Sequence, residues 1–344
     1  MSQIKYSHNK PTFGIGETKA VRKVLESGYV SQGPEVEAFE KELCEFFQLD
    51  YGHVAVVSSG SAALYISLKL FSASQKNIGI PVYSCAALRN AIGLANAIPV
   101  YIDCTKNDPN LDLIAGTKNE LYGIIAPSMY GIPLSLEFIN RPKLIIEDIA
   151  QSFGAKMNGK PIGLRGDVGI CSFYATKMFT SGGQGGAIIS EDRTFIDAVK
   201  DYRLFDNRND NELRFNFQMT DTQAAIGRVQ LSRLSEFISR RSEIFSIYRD
   251  GGLKLIDSHS AEFESVKYRA IIITKQQNLL IKKLKKYGIS SIIPISKAEL
   301  LDQTKTYPNA QKLTQNTVSI PIYPSLDKND AKFILSRVKS SLGS

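Results

Sequence analysis

The chain of 344 residues has little of what metal sites and secretion require. Its three histidines (His8, His53, His259) and four cysteines (Cys44, Cys85, Cys104, Cys171) are scattered and show no CxxC spacing. A zinc centre is therefore not expected, and the thiols read as reduced and mostly buried. No apolar run approaches the roughly 18 residues of a membrane span. The start, MSQIKYSHNKPTFG, lacks the charged, apolar, small-residue order of a secretory signal. The expected location is the cytoplasm, with no membrane partner. Repeats and low-complexity linkers are also missing, so any second domain should pack firmly on the first.

What is present points to a well-filled α/β protein. With 43% hydrophobic residues the chain can bury a sizeable core, and its length corresponds to about two domains. The net charge of +8 and pI near 9.1 raise the question of a nucleic-acid partner. Yet the basic residues are spread along the chain. The densest group, Lys282, Lys283, Lys285 and Lys286, fits the solvated face of a helix. No nucleic-acid partner is expected; anionic small molecules such as nucleotide diphosphates suit the charge better.

Apolar spacing predicts a helix from about residue 35, with Val36, Phe39, Leu43 and Phe47 on one stripe and Pro34 in its first turn. A strand at 54–57, the turn SSGSAAL and a helix through Leu64, Ile66, Leu68 and Leu70 follow. Short β-branched runs recur at 77–82, 98–103, 122–127, 143–148, 168–174 and 186–190. They do not alternate strictly, as expected of strands buried on both faces in a mostly parallel sheet, which binds ligands at its carboxyl ends. From about residue 220 a long helical stretch runs to Gly251 and Gly252. A smaller α/β segment then offers the strand-like runs YRAIIIT and SIIPI and a closing helix after Pro324. The expected domains are 10–235 and 236–344.

The chemistry concentrates between Glu147 and Ser190. Asp148 closes one apolar strand and Lys177 follows another, so both can sit at one end of the sheet. Pyridoxal 5'-phosphate (PLP) needs that pair: an amine to form a Schiff base, and a carboxylate to keep its ring nitrogen protonated. Taken singly, the two read as a surface lysine and a helix cap. A glycine turn opening a helix, as in SSGSAAL, offers unpaired N–H groups to a phosphate; a plain capped turn would look the same.

The ordered pieces EDIAQSFGA, GKPIGLRGD, SFYATK and GGQGGA resemble the Schiff-base region of the DegT-type sugar aminotransferases, which are fold type I PLP enzymes. The likeness spans about residues 10–335. It extends to KAVRKVLESGYVSQGPEVEAFE near the amino terminus and to FNFQMTDTQAAIGRVQLSRL. It implies a large domain with a mostly parallel mixed sheet flanked by helices, plus a smaller carboxy-terminal α/β domain. Lys177 would be the Schiff-base lysine, Asp148 the partner of the pyridine nitrogen, Gln151 a neighbour of the cofactor hydroxyl and Ser172 a phosphate ligand. Gly60, Ser61 and Ala62 would present N–H groups to the phosphate. Asn216 would reach it from a neighbouring subunit, which implies a homodimer with shared active sites.

The sequence departs from the family where substrates bind. Cys85, in PVYSCAA, stands where relatives place an aromatic residue over the ring, with Tyr83 as a possible substitute. The stretch SSIIPISK has neither the histidine nor the arginine usual there, and Ser128, Met129, Tyr130 and Gly131 replace HLYG. Tyr130, Arg214 and Lys267 are candidate substrate-side groups, each also readable as structural. The implied reaction carries an amino group from an amino acid such as glutamate to a keto sugar, with a nucleotide-linked sugar as the expected acceptor. A PLP-dependent sugar dehydratase is a second reading, disfavoured by lysine at 177, and a PLP-binding regulator without turnover is a third.

Overall fold

The computed structural model describes residues 4–106, 108–118, 120–258 and 260–343; His259 lies outside them. Two amino-terminal helices, α1 (Ile15–Ser27) and α2 (Pro34–Phe46), precede the sheet. The sheet region then alternates β1 (Val54–Val57), α3 (Gly60–Leu70), β2 (Asn77–Pro81), α4 (Ala86–Leu94), β3 (Ile98–Ile102), α5 (Leu113–Gly116) and β4 (Gly123–Pro127). It continues through β5 (Leu144–Asp148), the short β6 (Lys156–Met157) and β7 (Lys160–Pro161), β8 (Val168–Ser172), β9 (Gly186–Ile189) and α6 (Arg193–Arg203).

Seven strands form one sheet in the order β1-β9-β8-β5-β4-β2-β3. The pairs β2–β3, β2–β4, β4–β5 and β5–β8 are parallel, while β9 runs antiparallel to both β8 and β1. The mostly parallel reading therefore holds, with one reversed strand. Every residue of β1, β4, β5 and β9 is buried, which accounts for their continuous apolar runs. Separate apolar clusters line the sheet's two faces: Ala55, Val57 and Ile188 belong to one, Val54, Val56 and Ile189 to the other.

The helical stretch after residue 220 divides at Arg233 into α7 (Asp221–Ser232) and α8 (Leu234–Asp250). Asp221, almost fully buried at the start of α7, accepts N–H bonds from Gly33 (2.8 Å), Val36 (3.1 Å) and Glu35 (3.2 Å). It thereby caps α2, whose own N-cap residue, Gly33, has no side chain to do so. Helix α8 contributes Phe237 to one sheet-face cluster and Ile244, Phe245 and Tyr248 to the carboxy-terminal core, so its buried face is continuous across both.

The carboxy-terminal segment holds β10 (Phe263–Glu264), β11 (Ala270–Ile273), α9 (Gln277–Lys286), α10 (Pro308–Asn316), β12 (Thr317–Ile320) and α11 (Lys328–Leu342). The run SIIPI was expected to be the second strand here, but β12 takes that place against β11. Ile292 makes only an isolated bridge to Ser319, because Pro294 two residues on has no N–H to extend a ladder. The amino-terminal residues return to this segment, where Tyr6 pairs with Ile289.

At the site end of the sheet, β9 approaches the β1–α3 turn closely at Gly186. A Cβ there would lie 2.4–2.6 Å from Ser59 C, Ser59 O and Gly60 N, all of them backbone atoms. Gly186→Ala should therefore destabilise the protein by about 1–3 kcal/mol through overpacking, read as a lower denaturant midpoint with an unchanged slope. An unchanged midpoint would show that the turn can yield without cost.

Candidate active site

Parallel pairing aligns the carboxyl ends of β4, β5 and β8 at one edge of the sheet. Adjacent acids at the end of β5 have opposite fates, as the two-residue period of a strand requires. Glu147, fully buried, accepts from Arg165 Nε at 2.8 Å and Arg165 N–H at 3.0 Å and is salt-bridged to that guanidinium. Asp148, also buried, accepts one N–H bond, from Ala150 at 2.9 Å, and has no ion pair among the described residues. Burial pushes its carboxyl above the ordinary aspartate value, opposed by the Ala150 bond and by the charge of Lys177.

Lys177 follows β8 on a tight loop. Its N–H bonds Tyr174 O at 2.9 Å, and Tyr174 bridges Gly183. The side chain is half-buried, and among the described residues no hydrogen bond or ion pair claims its ammonium. Its charge acts on three neighbours: Asp148, Cys85 and Tyr268. The structure thus brings together the lysine and the carboxylate that were 29 positions apart, counting 177 − 148.

Helix α3 begins at the same edge. Ser59 caps it by accepting the Ala62 N–H at 3.1 Å, so of the three expected donors Ala62 is already engaged. The N–H groups of Gly60 and Ser61 have no acceptor among the described residues, as befits a first helical turn. A Cβ on Gly60 would lie 3.2 Å from Ser172 Oγ, which sets that hydroxyl against the helix start. Free N–H groups, a helix dipole and a hydroxyl make a site fit for a phosphate.

The other candidates are spread more widely. Cys85 is the exposed N-cap residue of α4; desolvation of its sulfur in the cleft, and then Asp148, push the thiol up, while Lys177 pulls it down. Gln151 accepts the Tyr130 N–H at 3.0 Å and so holds a non-glycine residue in the left-handed region, at φ 60°. Tyr83 is fully buried with its hydroxyl 2.6 Å from that of Tyr130, so its ring face is not free to replace an aromatic at position 85. Asn216 is exposed, and its side-chain oxygen serves Gln218 N–H at 3.1 Å. Its segment is tied beside α3, because Ser58 N–H bonds Phe217 O at 2.8 Å.

Of the candidate substrate-side groups, Lys267 is paired with Asp257 at 2.6 Å, Arg214 with Asp201 and Asp210, and Tyr130 is buried. All three have structural roles. A surface cavity of about 640 Å³, lined by residues including Phe46, Ile238 and Val266, contains none of the candidate residues. Sequence reasoning missed Tyr268, which is buried and lies within the field of Lys177. No pattern within YRAIIIT links it to a loop about 90 positions earlier.

Residues 13–339 match the model of the DegT/DnrJ/EryC1/StrS aminotransferase family. The chain belongs to this family. A curated relative, GDP-perosamine synthase of Escherichia coli O157:H7, is 26% identical, the match covering 96% of each chain. Among solved structures, aminotransferase TlmJ from Streptoalloteichus hindustanus superposes with a TM-score of 0.89 at 24% identity, covering 98% of this chain and 99% of that one. The PLP form of Spr1654 from Streptococcus pneumoniae gives 0.86 at 22%, covering 99% and 98%. This aminotransferase is a PLP-dependent transaminase with the α/β fold of its structural neighbours.

The raised carboxyl of Asp148 has a consequence for stability. A carboxyl whose folded value lies above its unfolded value favours the fold at low pH, and the advantage is lost as pH rises through the folded value. Without cofactor, the stability of Asp148→Asn should therefore match wild type below the ordinary aspartate range and exceed it at pH 7; loaded with PLP, its transaminase activity should fall roughly a hundredfold or more. Denaturant melts across pH and steady-state assays check this; an apo variant less stable than wild type at pH 7 would refute the electrostatic account.

Proposed function

We propose that this transaminase moves an amino group from an amino acid, with glutamate the expected donor, to a keto sugar carried on a nucleotide. The observation that carries the reading is the convergence of Lys177, Asp148 and the free first turn of α3 on one sheet edge. The nucleotide is supported by the relative named GDP-perosamine synthase and by the chain's net charge of +8, which favours phosphorylated substrates. Amino-sugar and cell-surface polysaccharide synthesis is the corresponding role.

In this reading Gly60 and Ser61 N–H groups and the Ser172 hydroxyl hold the phosphate of PLP, and Asp148 holds a proton on its ring nitrogen. Bound there, the cofactor supplies an electron sink for the carbon that loses a proton. Lys177 anchors PLP and, when displaced by an incoming amine, carries that proton as a general base and acid. Gln151 and Cys85 border the cofactor. Asn216 approaches the phosphate of a second subunit, so the working form is a homodimer with shared sites, acting in the cytoplasm. The division into a large domain, 10–235, and a small one, 236–344, is part of the same reading.

Two outcomes test it. The visible absorption of PLP-loaded protein should bleach with glutamate. In Lys177→Ala that absorption should change character and turnover should drop by at least the ~10²–10⁴-fold of a lost acid–base group; retained turnover would remove Lys177 from the mechanism. Separately, Asn216→Ala should weaken PLP retention in equilibrium dialysis without altering the fold, and unchanged retention would remove the cross-subunit contact.

A further inference from the structure

We infer that Arg269 receives a carboxylate of the amino-acid donor, holding it on the Tyr268 side of Lys177. The inference rests on the transaminase reading above and concerns the donor half of the reaction. It begins from an accounting of arginines. Arg165 and Arg203, both at least mostly buried, are salt-bridged to Glu147 and Glu40. Arg269, half-buried at the start of β11, has no carboxylate partner among the described residues; its one side-chain hydrogen bond joins Nη1 to His8 Nε2 at 3.3 Å. Arg241 beside it is fully buried and donates to the carbonyls of Tyr268 (3.1 Å) and Ile322 (3.0 Å), again with no acid.

The groups around Arg269 orient it without neutralising it. Burial, with Arg269 and Arg241 next, pushes His8 down to about 3, so it is a neutral partner at physiological pH, held by Ser319 Oγ at 2.7 Å. Burial pushes Tyr83 up to about 12 and also pushes Tyr130 well above its ordinary value, so these hydroxyls stay uncharged. A half-buried guanidinium without an anion is costly, and a carboxylate relieves that cost through two parallel N–H···O bonds.

The position suits the donor. His8 is bonded to Arg269, and the next residue, Asn9, donates from Nδ2 to the carbonyl of Thr176, the residue before Lys177, at 2.9 Å. The segments 8–9, 176–177 and 268–269 therefore form one wall, in which the Arg269 guanidinium lies 5.4 Å from the Tyr268 ring centre and both its charge and that of Lys177 act on the Tyr268 hydroxyl. One available fork among neutral hydroxyls and an imidazole matches a single carboxylate better than a diphosphate, which brings more charge than this wall can offset.

The test is calorimetric titration of the PLP-loaded protein with glutarate, an unreactive dicarboxylate, alongside GDP, UDP and dTDP. Arg269→Met should weaken glutarate roughly a hundredfold. Arg269→Lys should weaken it less, since the charge stays and the fork is lost. Nucleoside diphosphate affinity should be unchanged in both, as should the rate at which hydroxylamine, which needs no carboxylate contact, strips PLP from Lys177. Wild-type glutarate affinity in Arg269→Met, a loss confined to the diphosphates, or a parallel fall in the hydroxylamine rate would each overturn the assignment. Glutarate failing to bind even wild type would overturn it too. The transaminase reading is judged separately, by whether any amino donor bleaches the wild-type spectrum.

Discussion

The parallel pairing of β5 with β8 is the constraint on which the site depends. It fixes Asp148 opposite Ile170, so the carboxylate at the end of β5 and the loop that leaves β8 for Lys177 emerge at one edge. The reversed strand β9 then enters that edge at Gly186, close enough to the Ser59–Gly60 turn that a side chain would collide with backbone. Strand register, glycine and helix start are thus one geometric problem. The free N–H groups of α3 face the same edge as Lys177 because Gly186 and Gly60 let three backbones approach within contact distance.

Charge is distributed unequally over this frame, and the inequality separates structure from chemistry. Glu147 is matched by Arg165, and Glu40 by Arg203 at 2.6 Å and Lys200 at 3.0 Å; these buried pairs join elements far apart in sequence. Asp148, Lys177 and Arg269 are not matched within the described residues. The contrast between the paired Glu147 and Glu40 and the unpaired Asp148 and Lys177 is what the proposed cofactor site requires. The neutral His8 and the hydrogen-bonded Tyr83–Tyr130 pair keep the walls between these charges from cancelling them.

Much of this was legible from sequence, and the limits have physical causes. The strands of the sheet could be read because burial on both faces gives unbroken apolar runs; Asp148 and Lys177 were singled out by the motif pieces around them, since neither stands out by itself. SIIPI misled because its composition is that of a strand while Pro294 withholds the donor a ladder needs. The cap that Asp221 places on α2 could not be read, since its acceptors and donors are about 185 positions apart. Tyr268 and Arg269 escaped for the same reason: a strand sequence records which face is apolar, not which loop will lie against it.

The departures at the substrate side follow from the same division. A cofactor site must satisfy one unchanging molecule, so each of its contacts is tied to backbone geometry: a helix start, a strand end, a glycine that admits no side chain. Groups on the substrate side answer to a ligand that differs among relatives and are held by side chains alone. Tyr130 shows how such positions are reused. Its left-handed backbone, fixed by Gln151 and the following Gly131, is retained while its side chain turns inward to Tyr83. A residue spent on the core cannot also read a sugar. With Tyr130 committed to the core, the turn after β4 has little left to offer a substrate, and the proposed recognition falls instead to the wall that Arg269 shares with Lys177.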